Sequence, residues 1–417
     1  MCGTPYRANA PAPEAGKKDT IMSASNFEAE LDRLLSVSLD DAIDREATAF
    51  EELTAPAKGA LVIYGAGNLG RLVASGLRAH GIEPVAFADG SPTLWGSRIE
   101  GVPVLSPSDA AARYGTSAAF IVSIYSPGAD RRYTCIRKIL QDLGCRWVLS
   151  FLPFFWKHSA EFLPYFKWDL PHRLYQAADK VREVYSLWGD DASRREYVGQ
   201  VAWLLSTMDF DGLPMPDDGP TYLPTDVFSL TGQEHFVDCG AFDGDTIRTF
   251  LECDVATHGA ITALEPDPGN FQRLQLYVDA LPAEMSQRIQ IHPFAVGARR
   301  EVLHFEALGS LTSSISNTGS IEVECVPLDE LLAGAHPTYI KMDIEGAEPA
   351  ALEGGRATIE RATPALAICV YHRQEHLWEL PLLMRAFSND YRFFLRRYVD
   401  EFGDLVCYAA PSARVHG

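Results

Sequence analysis

Three acids crowd one glycine turn in HFVDCGAFDGDT, residues 235 to 246, and a fourth closes the strand of ITALEPD, residues 261 to 267. An apolar strand entering a glycine turn and a helix, followed by a second strand ending in an acid, forms the first half of a doubly wound α/β sheet. In that arrangement Glu265 emerges at the carboxyl edge, where its two oxygens can accept both hydroxyls of a ribose. Asp238, Asp243 and Asp245 occupy the place where a dinucleotide fold seats pyrophosphate on a helix N-terminus, and three carboxylates repel phosphate. They suit a nucleoside that carries an ammonium group and a positive sulfonium, the make-up of S-adenosylmethionine. Gly240 allows close backbone approach, and an acid beside the methionine amine is electrostatically favourable.

Methyl transfer from a sulfonium to oxygen needs the acceptor held in line and relieved of its proton. Placement supplies much of the rate, and the proton needs a general base or a metal-polarised oxygen. Candidates stand at adjacent strand ends: Asp343 and Glu345 after TYIKM, and His372 after AICVY. His372 reads as a general base with a neutral imidazole titrating at about 6.5, or as a hydrogen-bonded strand-end histidine. Asp343 reads as a substrate-orienting group, a divalent-ion ligand, a support for His372, or the N-cap of a helix starting at Gly346. Glu345 is catalytic or simply favours the positive helix end. Clustered carboxylates suit a hard metal such as magnesium, but no ligand spacing demands one, so the metal is left unknown. SLTSSISN, residues 310 to 317, offers hydroxyls to a polar acceptor or is a plain surface loop. His376 and Trp378 line the acceptor pocket or pack their helix.

The elements that position these residues divide the chain into four parts. Residues 1–22 form a Pro/Ala-rich disordered tail. Residues 23–150 begin with two helices, the second capped by Ser38 or Asp40, and continue as a Rossmann-like unit with strands LVIYG, PVAFAD and AAFIVSI. Residues 151–224 are a connector. Its aromatic run, 151 to 171, is either apolar cement between domains or a wall of the acceptor pocket. Its later helix carries Ser193 and Glu196 at capping-box spacing. Residues 225–417 alternate strand and helix and end in YRFFLRRYV and LVCYAA, joined so tightly that they must be antiparallel. A parallel sheet finished by an antiparallel hairpin is the class I methyltransferase architecture. The expected fold is therefore α/β: that doubly wound sheet, preceded by a smaller Rossmann-like domain and a helical connector.

The segments VDCGAFDGDTIRTF, ALEPDPGNFQRL, VPLDELL, PTYIKMDIEGAE and LAICVYH resemble the FkbM family of S-adenosylmethionine-dependent methyltransferases, over roughly residues 235 to 410. The resemblance implies O-methylation in bacterial glycan or secondary-metabolite biosynthesis. By position it assigns Asp238, Gly240 and Gly244 to the cofactor turn and Glu265 to the ribose. With their neighbours Ala241, Asp243, Asp245, Thr246, Pro266 and Asp267 these make the expected cofactor-binding set. Members commonly have Asn where this chain has Phe242, so a contact to the methionine moiety falls to Asp243, Asp245 or Thr246.

The first unit carries a second fingerprint. GAGNLG follows a strand and opens a helix, and Asp89 ends the next strand. Gly65, Gly67, Asn68, Gly70 and Asp89 form either a site for an NAD-like cofactor or nucleotide-sugar, or a scaffold without ligand, since the same glycines serve helix-to-strand packing. The unit resembles nucleotide-binding Rossmann domains attached to sugar-modifying enzymes, including its IEGVPVLSP ending. An NAD(P)-dependent oxidoreductase and a non-catalytic nucleotide-binding scaffold are thus the competing functions.

A formal charge of -20 over 417 residues disfavours nucleic acid as a partner. The chain contains no run of about 18 apolar residues that could span a membrane. The tail lacks the apolar centre of a secretion signal, and the eight dispersed cysteines show no C-x-x-C pair. Reduced thiols, a cytoplasmic location and a small-molecule acceptor are the expectations, with oligomeric state open.

Overall fold

Two helices, Ala24–Leu34 and Leu39–Thr54, lead into the first sheet of the computed structural model, which describes residues 24–125, 132–253, 259–306, 314–315, 321–399 and 403–416. The proposed tail lies outside them. Ser38 caps the second helix by accepting the Asp41 backbone N–H. Strands β1 (Leu61–Tyr64), β2 (Ala86–Ala88), β3 (Arg98–Ile99), β4 (Val102–Leu105), β5 (Ala119–Val122) and β6 (Trp147–Ser150) then pair in the order β3-β4-β2-β1-β5-β6. All neighbours are parallel except the β3–β4 hairpin. Every residue of β1 and β5 is buried, which is why LVIY and AFIV are unbroken apolar runs. Sequence reasoning places β1, β2 and β5. It reads β3 as turn, because two residues leave no alternation to detect.

The aromatic run is cement. Phe151, Phe154, Phe155, Trp156 and Trp168 are almost fully buried, with Phe155 stacked on Phe162 at 4.7 Å and Phe154 tilted against Phe50 at 5.2 Å. The capping box expected at Ser193 and Glu196 is not formed. Asp190 caps helix Asp191–Leu205 instead, its Oδ1 accepting the Ser193 N–H at 2.8 Å. Ser193 and Glu196 are drawn to a strand the helix covers: Ser193 Oγ accepts the Leu395 N–H at 2.9 Å, and Glu196 pairs with Arg397 at 2.7 Å. A sheet edge is thereby shielded from solvent.

The last domain contributes β7 (His235–Cys239), β8 (Ala260–Leu264), β9 (Ile289–His292), β10 (Ala295–Val296), β11 (Glu301–Glu306), β12 (Ser314–Ile315), β13 (Ile321–Val326), β14 (Tyr339–Met342), β15 (Ala365–Cys369), β16 (Tyr391–Arg397) and β17 (Leu405–Pro411). The main sheet runs β16-β17-β15-β14-β7-β8-β9, with β17 antiparallel to both of its neighbours, β15 and β16, and the remaining pairs parallel. The order and the closing hairpin are those expected of a class I methyltransferase. Strands β10 to β13 form a small side sheet. Of SLTSSISN only Ser314 and Ile315 are described, as β12, and the remainder of that acceptor loop lies outside the described residues.

One hydrophobic cluster runs from Phe27 through the first sheet and connector to Leu405 on the main sheet, and a second, around Phe236, Phe250 and Tyr408, packs another part of the last domain. No helix among the described residues is long and apolar enough to cross a membrane.

Candidate active site

Strand order reverses between β7 and β14, so a crevice opens at their carboxyl ends, the usual ligand position in such sheets. The turn after β7 is pressed against β14. A Cβ added at Gly240, whose φ is +80°, would lie 2.0 Å from the Asp343 carbonyl oxygen. Gly244, at φ +88°, precedes helix Asp245–Glu252, and a Cβ there would meet the Tyr277 ring at 2.7 Å and Leu274 at 3.1 Å. Ala241 is buried in the same turn and Thr246 in the first turn of that helix.

Glu265 stands at the end of β8 and locks the turn. Its Oε2 accepts the Phe242 N–H at 2.8 Å and its Oε1 the Asp267 N–H at 2.9 Å. Burial pushes its carboxyl up to about 6, against the pull of those two donors. A carboxylate has about four lone-pair sites, and the Asn270 side-chain amide also donates to Oε1 at 3.4 Å, so about one site remains for a ribose hydroxyl. Pro266 follows in the chain. Asp267, expected at the cofactor, caps helix Pro268–Asp279 instead, accepting the Gly269 and Asn270 N–H groups at 2.8 and 2.9 Å.

Asp238 also departs from expectation. It is fully enclosed, and its neighbour is Lys341 on the adjacent strand, with Nζ 2.9 Å from Oδ1. Lys341 also donates to the Gly240 carbonyl at 2.6 Å and lies over the Tyr222 ring. Asp238 therefore ties the turn to β14 from beneath. Burial pushes its carboxyl up to about 6 despite the ammonium. Burial opposes the charge on Lys341, but Asp238 and Asp343 overcome it and raise its pKa. The acids left nearer the crevice are half-buried Asp243 and exposed Asp245, whose charge is felt at Asp238 and at Asp404.

At the other wall, His372 lies between carboxylates. Its Nδ1 is 2.8 Å from Glu348 Oε1, and its Nε2 is 3.2 Å from Asp343 Oδ1 and 3.8 Å from Glu345 Oε2. Burial opposes an imidazolium, yet Glu348 and Asp343 raise its pKa well above the ordinary value. Carboxylates beside both ring nitrogens favour the charged imidazolium, which weighs against the neutral-base expectation. Asp343 does not cap a helix either, because the next one begins at Glu348. It accepts the Tyr222 hydroxyl at 2.7 Å and the Tyr371 hydroxyl at 3.3 Å. Burial would raise its pKa, but His372, Lys341 and Tyr222 hold it well below the carboxylate range. Glu345 sits in left-handed backbone, φ +55°, and burial pushes its carboxyl up to about 7. Such strain in a non-glycine residue is often found at functional sites. His376 and Trp378 are largely buried in their helix, with His376 Nδ1 3.5 Å from Glu348 Oε2 and Trp378 beside a cavity lined also by Arg173 and Lys180.

Sequence reasoning missed Tyr222, Lys341, Glu348, Tyr371 and Asp404. The clearest overlooked signal is the pair Asp238 and Lys341. A lone acid and a lone base in two apolar central strands must find each other when buried, and they are register partners.

The carboxylate-rich lining fits a ribose-bearing cofactor with ammonium and sulfonium charges, and disfavours a pyrophosphate. In the first domain the corresponding acid behaves as Glu265 does: Asp89 accepts the Ala66 and Ser91 N–H groups, both at 2.8 Å. A Cβ at Gly65 would meet the Ser123 carbonyl at 2.8 Å and one at Gly70 the Gly65 carbonyl at 1.8 Å, so both glycines serve close packing. Gly67 has open space around it, and Asn68 begins the helix.

Residues 238–395 match the family model of the methyltransferase FkbM domain. A search of curated proteins finds no match. Among solved structures, a methyltransferase FkbM from Methylobacillus flagellatus KT shares the fold with a TM-score of 0.67 at 20% identity, over 92% of this chain and 98% of that one. A UDP-D-quinovosamine 4-dehydrogenase from Vibrio fischeri is 25% identical over 22% of this chain and 75% of its own, with a TM-score of 0.19. Aeropyrum pernix fibrillarin, in complex with natively bound S-adenosyl-L-methionine, is 10% identical over 44% of this chain and 69% of its own, with a TM-score of 0.26. The last two likenesses are too partial to bear on the fold.

Proposed function

We propose that this chain, a member of the FkbM methyltransferase family through its domain at residues 238–395, transfers the methyl group of S-adenosylmethionine to an oxygen of a small polar or sugar-bearing acceptor. The observation that supports the reading is the gathering of carboxylates after adjacent strands at the switch point: Glu265 after β8, Asp243 and Asp245 after β7, and Asp343 and Glu345 after β14. The cofactor would supply an electrophilic methyl group.

Glu265 would hold a ribose hydroxyl, while Asp243 and Asp245 would face the ammonium end. Gly240 and Gly244 let the turn close on β14 and on Tyr277, which fixes the distance between the two walls. Asp343 is aligned by three neighbours, Tyr222, Tyr371 and His372, and so presents a fixed carboxylate to an acceptor hydroxyl. The proton of that hydroxyl would pass to the Asp343–Glu345 edge, with His372 as the charged group that positions the edge. A bacterial glycan or secondary-metabolite pathway suits the family resemblance.

The test is incubation of the full chain with small-molecule extracts and isotopically labelled S-adenosylmethionine, followed by mass spectrometry. A labelled O-methyl product is expected. Label appearing only on nitrogen or carbon would contradict the oxygen acceptor.

A further inference from the structure

We infer that the Nε2 edge of His372, with Asp343 Oδ1 and Glu345 Oε2, is a binding site for one divalent cation of the Mn²⁺ or Mg²⁺ type, which would bind by displacing the Nε2 proton of the imidazolium. Both carboxylate oxygens approach the same ring nitrogen, at 3.2 and 3.8 Å. Ligands that share an ion at about 2.0 to 2.3 Å each sit roughly this far apart. Ligand atoms of Asp343, Glu348 and His372 also fall within 4.8 Å of one another.

A second observation concerns His372 itself. It is only 9% exposed, yet its Nε2 makes no hydrogen bond of acceptable geometry, although two carboxylates approach it. An unsatisfied buried imidazole asks for a partner. Glu348 is the wrong one for Nε2, because it lies on the Nδ1 side and its Oε1 already accepts the Ile344 N–H at 2.9 Å. That placement suits a carboxylate that orients a metal-bound histidine through its other nitrogen. Tyr222 and Tyr371 do the same for Asp343. Asp343 and Glu345 are more accessible than Glu348, so the ion would meet the crevice and not the core. One imidazole with two carboxylates favours a hard or mid-series cation over a thiophilic one.

Occupancy of this site does not depend on the methyl-transfer reading. Its use does: a cation there would lower the pKa of a bound acceptor hydroxyl, so that the carboxylate edge can take the proton near neutral pH.

The experiment is Mn²⁺ titration of the EDTA-treated full chain, followed by electron paramagnetic resonance and calorimetry with Mn²⁺ alone. One Mn²⁺ per chain is expected, displaceable by Mg²⁺, and weakened by about tenfold or more in Asp343→Asn and in Glu345→Gln. Glu52→Gln, an exposed acid on helix Leu39–Thr54, should leave it unchanged. Circular dichroism and thermal melting establish that each variant is folded. Glu345→Gln is the safer variant, because Glu345 makes no backbone hydrogen bond through its side chain among the described residues. No saturable Mn²⁺ binding at millimolar concentration, or binding unaltered in the folded Glu345→Gln variant, would overturn the inference whether or not methyl transfer is found.

Discussion

Replacing Glu265 by Gln keeps the shape of the side chain and removes its charge, which makes it the sharpest probe of the turn-side wall. In the wild type each carboxylate oxygen accepts one backbone N–H, from Phe242 at 2.8 Å and from Asp267 at 2.9 Å. A glutamine can accept only one of the two, and its amide would face the other donor. The misplaced donor costs about 1 to 3 kcal/mol of stability. Opposing this, ionised Glu265 is itself unfavourable in the fold, since its carboxyl is raised from 4.5 to about 6 by burial. That shift corresponds to about 2 kcal/mol, which glutamine does not incur. The variant should therefore fold. Cofactor binding has no such offset: losing one charge-assisted bond to a ribose hydroxyl is worth about 1.5 to 3 kcal/mol, or about 10- to 150-fold in Kd. Because a raised acid loses its charge as pH falls through about 6, wild-type affinity should drop by about tenfold between pH 7 and pH 5. Asp238 and Asp404 are also pushed up to about 6, so the diagnostic quantity is the difference between wild type and variant. Calorimetric titration with S-adenosylmethionine at both pH values reads it. A folded variant with wild-type affinity, or one whose pH dependence is as steep as the wild type's, would refute the assignment of Glu265 to the ribose.

Lys341→Met leaves Asp238 enclosed without its counter-ion, and breaking a buried pair in this way costs about 3 to 5 kcal/mol. A denaturant midpoint within experimental error of wild type would show that the pair is not structural. Gly240→Ala forces a Cβ to 2.0 Å from the Asp343 carbonyl in left-handed backbone, so a marked fall in melting temperature should accompany loss of cofactor binding. Selectively ¹⁵N-histidine-labelled, EDTA-treated protein should show His372 with both ring nitrogens protonated at neutral pH, and a neutral-tautomer pattern would contradict the charged reading. The stability that His372 contributes should be complete below about pH 6.5 and lost only as pH rises through its higher folded value. Chemical denaturation across that range reads the sign.

The sequence made the turn and the strand-end acids legible because each sits at a junction between an apolar run and a breaker, where position in the sheet follows from type. Glu265, Asp343, Glu345 and His372 were found that way. What each acid does was less legible, because it depends on what the neighbouring strand brings. Asp238 and Asp245 look alike in VDCGAFDGDT, yet the β7–β14 register sets Lys341 beside one, while the other is exposed at the start of a helix. Glu348 reads as an ordinary first-turn acid, but it is fully buried against His372 and raises the pKa of an expected neutral base. Tyr222 belongs to a Pro/Gly-rich connector and reaches Asp343 from 121 residues away, a separation that local pattern cannot see. Ser193 and Glu196 failed for the complementary reason, since edge strand β16 outcompetes the helix terminus for them.

Calorimetry of the full chain with S-adenosylmethionine, its demethylated product and NAD⁺ tests most directly whether the carboxylate-lined crevice takes a cationic nucleoside. Saturable binding of S-adenosylmethionine is expected, weaker binding of the product that lacks the sulfonium charge, loss of both in a folded Gly240→Ala variant and weakening of both by about 10- to 150-fold in Glu265→Gln. Absence of S-adenosylmethionine binding, or binding untouched by both variants, would contradict the account.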